Sequence, residues 1–290
     1  MIEEQLYEHS GKSPLIGFFI ALGLGAFLAI LLGFVYNSFI ISIPIVYINF
    51  FATIGFGTIL GYGIKFFSRF GKIRNGKQNI ILAGTVGFIG FYFQWIAYFV
   101  FLNSGEHSFQ AYQDNFNLFY DIGFFIYLIK ELNESGSWGM FGIIFTDFPL
   151  WIIWGIEALI IIGIPIIISM KHPIVPFSET LNKWYSKYTI KNEFVSISAQ
   201  NHFKKNLIEN TKQTILNLSY GEPFRFSKIS IFYLEDEQTQ YISIDNVHIE
   251  DRGKGKSKRT SVVHLVQVDT KTAKELMDKY VAKKQFIFNY

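Results

Sequence analysis

The stretch WIIWGIEALIIIGIP, from Trp151 to Pro165, is apolar at every position except Glu157. It lies inside an apolar run from about 149 to 170, which is long enough for a helix across a hydrocarbon core that needs roughly 20 residues. A run of this length with one charged residue is typical of a membrane-spanning helix. The run predicts the fold class, and the carboxyl group inside it raises the question of function.

Three further apolar runs, at about 13–36, 39–64 and 79–102, have similar lengths. Half of the 290 residues are hydrophobic and 17% are charged, which is more apolar than is usual for a soluble domain. We therefore expect an all-α polytopic membrane bundle of four transmembrane helices at 13–170, after an N-terminal cytoplasmic segment at 1–12. The first run is too long, and its flank too acidic, for a removable signal peptide.

The charges between the runs predict the orientation. A short loop after the second run carries five cations and no acid, namely Lys65, Arg69, Lys72, Arg74 and Lys77. Short loops of this kind stay in the cytoplasm. The loop at 103–148 contains six acids and one lysine, so we expect it outside the cell. Both termini are then cytoplasmic, and the protein is expected to be a multi-pass protein of the cell inner membrane.

An apolar stretch within the outer loop, Phe116–Ile129, leaves an alternative open. Its 14 residues are short for a crossing and Asp121 interrupts them, so we interpret the stretch as an interfacial or re-entrant helix. A fifth crossing at this point would move the C-terminal part to the other side of the membrane. The next apolar stretch, Trp138–Phe145, is also too short to cross.

Small residues follow one side of the first run at every fourth position: Gly17, Ala21, Gly25, Ala29 and Gly33. Such a stripe lets two helix backbones approach closely within lipid. The second run has a comparable set of Thr53, Gly57 and Gly61, whereas the fourth run is mostly β-branched. We therefore expect the tight helix contacts among the first three helices, with the partner helix either in the same chain or in another.

Three polar side chains are expected at one depth of the bundle. A rise of about 1.5 Å per residue from the middle of each run puts Glu157, Gln94 and Asn49 about 4 to 6 Å toward the outer side. A charge at this depth costs about 2.5 to 3.5 kcal/mol, so Glu157 should face the bundle. The simpler interpretation is an interhelical clasp, in which a protonated carboxyl group donates to Gln94 or Asn49. The alternative is a proton or cation site.

The residues after the fourth run predict a juxtamembrane linker with an interfacial helix at 171–198 and a cytoplasmic α+β domain at 199–290. The first part contains SETLNKWYSKY, from Ser178, whose aromatic and cationic residues suit a helix on a membrane surface. The domain is expected as α-β-β-β-α with an antiparallel meander. Its parts are an amphipathic helix at 199–218, strands from Ile229, Gln240 and Ser261, and a last helix from Thr272.

A basic turn at 251–260 predicts a solvated hairpin tip, with contact to anionic lipid as the alternative. The candidate lipid contacts are Lys254, Lys256 and Lys258, together with Arg69, Lys72, Arg74 and Lys77. The six histidines show no metal-ligand spacing, the chain has no cysteine, and no catalytic or cofactor motif occurs. We therefore expect no catalytic residues, no cofactor, no metal and no nucleic-acid partner.

These features favour a non-enzymatic integral membrane protein that acts as a structural or docking subunit of a larger complex, such as a secretion or transport assembly. The expected partners are the lipid bilayer and other membrane subunits, either different proteins or further copies of this chain. One alternative is a channel or proton-coupled transporter that uses Glu157, with Gln94 and Asn49 along the path. The other is a membrane-embedded enzyme with a cytoplasmic-face site around Lys65, Arg69 and His172.

Overall fold

The structure is a computed structural model that describes residues 6–43, 45–140, 143–170, 175–251 and 256–285. The chain forms two compact units. The helical unit comprises Gly11–His172, and the sheet unit combines Met1–Ser10 with Pro173–Tyr290.

The helical unit is built mainly from four long helices. Its elements in chain order are α1 (Leu15–Ser42), α2 (Val46–Phe70), α3 (Gly76–Ser104), α4 (Phe109–Asp114), a short 3₁₀ helix (Phe116–Phe119), α5 (Ile122–Ser135), β1 (Trp138–Met140), β2 (Ile143–Phe145) and α6 (Asp147–Ser169). Among the described residues, α1, α2, α3 and α6 are the helices long and apolar enough to cross a membrane. The prediction of four such helices is therefore confirmed.

The break between α1 and α2 lies later than the sequence indicated. α1 continues to Ser42, whereas its apolar run was taken to end at residue 36. Ser38 donates its hydroxyl hydrogen to the carbonyl of Phe34 at 2.9 Å, and Ser42 donates to Ser38 at 2.8 Å. These polar residues are therefore satisfied inside the helix, and Asn49 falls in the first turn of α2 rather than near its middle.

The stripe of small residues on α1 is buried along its whole length, from Gly17 to Gly33. A Cβ atom added at Gly17 would lie 1.9 Å from the carbonyl oxygen of Gly71, directly after α2. One added at Gly25 would lie 2.9 Å from a methyl group of Val86 on α3. α1 thus packs along α2 and α3 through its smallest side chains.

The glycines of α2 face α6 instead. A Cβ atom at Gly57 would lie 2.8 Å from the carbonyl oxygen of Ile160, and one at Gly61 would lie 2.7 Å from the side chain of Ile168. The expectation that the tight contacts involve only the first three helices is therefore wrong. Branched isoleucine side chains of α6 fill the space that the glycines of α2 leave, so a helix without its own small stripe still packs closely.

The segment between α3 and α6 folds against the ends of those helices. Leu118 and Phe125 form a buried cluster with Leu150 and Trp154 of α6. α5 begins at Ile122 because Asp121 caps it, accepting from the amide of Phe124 at 2.9 Å. At about 1.5 Å per residue, its 14 residues fall short of a core of about 30 Å. Trp138–Phe145, expected only as a short surface stretch, contains the antiparallel β1–β2 hairpin.

The sheet unit is an antiparallel sheet with helices. Its elements are β3 (Phe177–Ser178), β4 (Lys183–Trp184), β5 (Ser186–Thr189), β6 (Phe194–Val195), α7 (Gln200–Glu209), α8 (Thr211–Leu216), β7 (Arg225–Tyr233), β8 (Thr239–Asp251), β9 (Lys256–Asp269), α9 (Thr270–Lys279) and β10 (Lys283–Gln285). The strand order is β10-β5-β7-β8-β9, and β6 also pairs with β7. The predicted antiparallel meander is confirmed as β7, β8 and β9.

Three details of the C-terminal prediction are wrong. The interfacial helix from Ser178 is absent, because this stretch forms the β3–β4 hairpin and β5, whose backbone bonds go to the distant β7. The single helix expected at 199–218 is split into α7 and α8 at Asn210, whose side chain caps α8. The last helix begins at Thr270 rather than Thr272, because Asp269 is its cap.

Alternating side chains give the sheet two apolar faces. Ile229, Ile231, Ile242 and Ile244 point to one face and pack with residues of all three helices, including Leu207, Ile215 and Leu276. Phe232, Tyr241 and Leu265 lie in a second cluster with Val175 and Tyr185. The sheet is thus covered on both sides.

The N-terminal segment is part of the sheet unit. Leu6 forms an antiparallel bridge with Val266 of β9, and the amide of Tyr7 donates to the carbonyl of Leu265 at 3.0 Å. The Tyr7 hydroxyl accepts from the amide of Phe177 at 2.9 Å. Leu6 and Tyr7, which precede α1, therefore belong to the same folded unit as the strands that follow α6.

Candidate functional site

A cavity of about 400 Å³ lies among the long helices, in the half of the helical unit that holds the C-terminal end of α1 and the N-terminal end of α6. All four long helices contribute to its walls, together with Ser137 and Gly139 at the start of the hairpin. Glu157 is the one acidic side chain on its described lining, and no Lys, Arg or His lines it. Gln94 and Asn49, expected at the same depth as Glu157, line the same cavity.

Glu157 is held by a tyrosine of another helix. The Tyr36 hydroxyl of α1 donates to the Glu157 carboxyl group at 2.5 Å, and its oxygen lies 2.9 Å from the Thr53 hydroxyl of α2. These contacts link α6, α1 and α2 at one level. Sequence reasoning missed Tyr36. Its position three residues after Gly33 was the available signal, because residues three apart share a helix face.

The expected clasp between Glu157 and the two amides is not what the structure describes. The side-chain nitrogen of Gln94 and the side-chain oxygen of Asn49 are buried and have no hydrogen-bond partner among the described residues. The same is true of the indole nitrogen of Trp95, which also lines the cavity. Two donors and one acceptor on residues that line the cavity therefore have no hydrogen-bond partner among the described residues, although these atoms themselves have almost no surface open to the cavity.

The cavity is large enough for polar contents. One water needs only about 10 to 15 Å³ of such space. The cavity is far larger than this, and Glu157, Gln94 and Asn49 give part of its lining a polar character, so water or a polar ligand fits inside it.

Five aromatic side chains form much of the remaining lining: Tyr36, Phe50, Trp95, Tyr98 and Trp154. The rings of Trp95 and Trp154 meet edge to face, with centroids 4.9 Å apart and planes at 85°. Trp95 meets Tyr98 in the same manner at 5.9 Å. Such edge-to-face packing fixes the ring orientations, so the aromatic walls are preformed.

An apolar core fills the other half of the bundle. Phe56, Leu60, Val86 and Ile161 are all buried, and they follow the cavity toward the C-terminal end of α6. This core separates the cavity from the end of the bundle where the basic loop lies.

The predicted basic residues are spread over different environments. Arg69 and Lys72 are half-buried, while Lys77 and Lys258 are exposed. Arg74 is buried and donates to the carbonyl of Lys72 at 2.5 Å, which removes it from the candidate lipid contacts. Lys254 and the side chain of Lys256 lie outside the described residues, and so does His172 of the alternative enzyme site.

Among the residues that the structure describes, no group of three or more His, Cys, Asp or Glu side chains is placed to hold a metal ion. No family model matches the chain, and neither a curated protein nor a solved structure matches it. The function is therefore argued from the chemistry of the cavity.

Proposed function

We propose that this chain is a multi-pass membrane protein whose helical unit spans the bilayer four times and works as a proton-coupled carrier, with Glu157 at its solute site. The observation that carries the proposal is a cavity of about 400 Å³ among the four long helices, lined by Glu157 together with Gln94 and Asn49. Ligand sites typically occupy about 300 to 1,000 Å³. An ionisable residue that faces a cavity inside a membrane bundle is by default a functional site.

The bonding of the polar residues supports a binding role over a purely structural one. The Tyr36–Glu157 bond and the Tyr36–Thr53 contact join three helices, yet a cavity of about 400 Å³ remains beside Glu157. A carboxyl group that only joins helices needs no such cavity, whereas a solute site does.

The packed half of the bundle favours a carrier over an open channel. The core of Phe56, Leu60 and Ile161 separates the cavity from the far end of the helices. A carrier exposes its site to one side at a time, so closure at one end is the arrangement expected of one of its states. A channel would need a polar path through this core.

The sheet unit supports an even number of crossings. Leu6 and Tyr7 pair with β9, which supports the proposal that the segment before α1 and the segment after α6 lie on the same side of the membrane. A fifth crossing at Phe116–Ile129 would separate them. The five cations between Lys65 and Lys77 favour the cytoplasm as that side, and the inner membrane as the location.

A docking role in a larger membrane complex, such as a secretion or transport assembly, is a second proposal. It is supported by an exposed apolar group on the sheet unit, formed by Val195, Tyr220 and Phe224. β6 brings them together, because Phe194 bridges Tyr220 and Val195 pairs with Phe226. Isolation of the protein from native membranes in mild detergent as a lone monomer would count against this role.

The carrier proposal is tested by measuring whether a water-soluble reagent reaches the cavity. The chain has no cysteine, so a single introduced cysteine is the one reactive thiol. Ile153 lines the cavity, while Leu159 on the same helix is 74% exposed on the outer surface of the bundle and does not line it. In proteoliposomes, a membrane-impermeant thiosulfonate reagent should modify the Ile153→Cys variant and leave the Leu159→Cys control unmodified, because lipid shields it. Equal rates for the two variants would overturn the proposal.

A further inference from the structure

We infer that the Glu157 cavity binds a small organic cation: an alkylated ammonium group that also carries a hydroxyl or carbonyl oxygen. This inference rests on the solute site proposed above and names the chemical class of the solute. It combines the charge of the lining, its aromatic rings and its unpaired hydrogen-bonding atoms.

The charge of the lining selects a cation. Glu157 is the one acidic side chain on the described cavity wall, and no basic side chain stands beside it. Charges interact more strongly in a bundle surrounded by lipid than in water, so an ionised Glu157 favours a positively charged guest. An anionic guest would find a carboxylate and no counter-charge.

The aromatic rings select an organic cation over a metal ion. Tyr36, Phe50, Trp95, Tyr98 and Trp154 supply much of the wall, and ring faces attract cations, including quaternary ammonium groups. Hard metal ions such as Ca²⁺ need about six to eight oxygen ligands. The rings supply none of these, whereas an ammonium group with alkyl substituents gains both from ring faces and from apolar contact.

The unpaired atoms call for an oxygen on the same guest. The side-chain nitrogen of Gln94 and the indole nitrogen of Trp95 are donors that lack acceptors among the described residues. When these side chains turn toward the cavity, a hydroxyl or carbonyl oxygen on the guest can accept from them. The unpaired oxygen of Asn49 can accept from a hydroxyl or an ammonium hydrogen of the same molecule. A hydroxyalkyl ammonium ion carries both the cation that suits Glu157 and an oxygen that suits these donors.

The test is a titration of the full chain in lipid nanodiscs by calorimetry. The first probe is choline, which has a quaternary ammonium group and a hydroxyl. The second is 3,3-dimethylbutan-1-ol, which keeps the shape and the hydroxyl but replaces the charged nitrogen with carbon. Choline should bind about tenfold more tightly than the neutral alcohol, as expected for a cation held by ring faces and a carboxylate.

Variants of the cavity give a second comparison. Glu157→Gln and Trp154→Leu should each weaken choline binding by about tenfold. Phe27→Leu is the control, because Phe27 on α1 is 69% exposed on the outer surface of the bundle and does not line the cavity. Its affinity for choline should equal that of the original protein. If Trp154→Leu fails to fold, the comparison of choline with its neutral analogue on the unaltered protein still decides.

The outcomes separate this inference from the carrier proposal. Equal affinity for choline and the neutral alcohol, or unchanged choline affinity in Glu157→Gln, overturns the cation class. No choline binding, together with a reactive Ile153→Cys variant, also overturns the cation class but leaves a water-accessible solute site in place. An unreactive Ile153→Cys variant removes the site itself, and the inference falls with it.

Discussion

Replacement of Gly17 by alanine is expected to destabilise the helical unit, because the added methyl group has no room. The new Cβ atom would lie 1.9 Å from the carbonyl oxygen of Gly71 and 2.8 Å from its carbonyl carbon. Real Cβ atoms essentially never approach closer than 3.0 Å. Both obstructing atoms belong to the backbone, so no side-chain rotation relieves the clash and the end of α1 must move away from the end of α2.

The size of the effect follows from two opposing contributions. Overpacking of a close contact costs about 1 to 3 kcal/mol, and the upper part of this range applies when the backbone itself must shift. Alanine offsets some of this, because it favours a helix over glycine by about 0.5 to 1 kcal/mol. A net loss of about 2 kcal/mol in the free energy of unfolding is therefore expected for Gly17→Ala.

Gly23 provides the matched control on the same helix. A Cβ atom at Gly23 meets nothing within 4 Å, so Gly23→Ala changes helix propensity alone and should be neutral or slightly stabilising. Both variants are titrated with sodium dodecyl sulfate in mixed micelles, and helix content is followed by far-ultraviolet circular dichroism. The midpoint of Gly17→Ala should fall, while that of Gly23→Ala should stay the same or rise slightly. If they shift equally, the close approach of Gly17 to Gly71 is refuted.

Three further predictions concern the sheet unit and the orientation. Gln240→Leu should lower the free energy of unfolding of the sheet unit by about 3 kcal/mol, because the buried Gln240 side chain bonds both the amide and the carbonyl of Leu234, at 2.8 and 2.9 Å. An unchanged rate of hydrogen exchange at the Leu234 amide would contradict this. Asp269 accepts from the Thr272 amide at 2.9 Å, which lowers the pKa of its carboxyl group below 3.8, so the cap is present above that pH. As the pH falls through this lowered pKa, the first turn of α9 should fray in nuclear magnetic resonance spectra, and Asp269→Ala should fray at neutral pH as well. Epitope tags at the two ends of the chain should be accessible from the same face of sealed vesicles, and accessibility from opposite faces would exclude four crossings.

The number of long helices could be predicted from the sequence because a membrane helix satisfies its own backbone locally. Their boundaries could not be predicted equally well. The polar residues Asn37 and Ser38 looked like the end of the first helix, yet α1 passes through both. Ser38 bonds a carbonyl one turn earlier, and Asn37 is buried among neighbouring helices that a single run does not reveal.

The candidate site was partly predictable. Counting residues along each run put Glu157, Gln94 and Asn49 near one another, and all three line one cavity. The counting rested on a boundary that was wrong for α2, however, and it could not find Tyr36 as the partner of Glu157. Which side chain reaches a carboxyl group depends on which helices are neighbours and how each is rotated. No local pattern carries that information.

The strands of the sheet unit were also predicted only in part. The alternation of apolar residues predicted β7, β8 and β9, because each strand has one face against a core. β5 and β10 were missed, since each is short and gains its stability from a strand far away in sequence. The aromatic and cationic residues of β5 are equally compatible with a helix on a membrane surface. This stretch forms a strand instead because the edge of β7 pairs with it.

The pairing of Leu6 with Val266 joins one residue to another that is made some 260 positions later. All four long helices lie between these two residues in the sequence. They therefore leave the ribosome before β9 is made and can pair with Leu6. A nascent chain arrested before β9 would therefore have its helices available for insertion while Leu6 and Tyr7 still lack their partner strand.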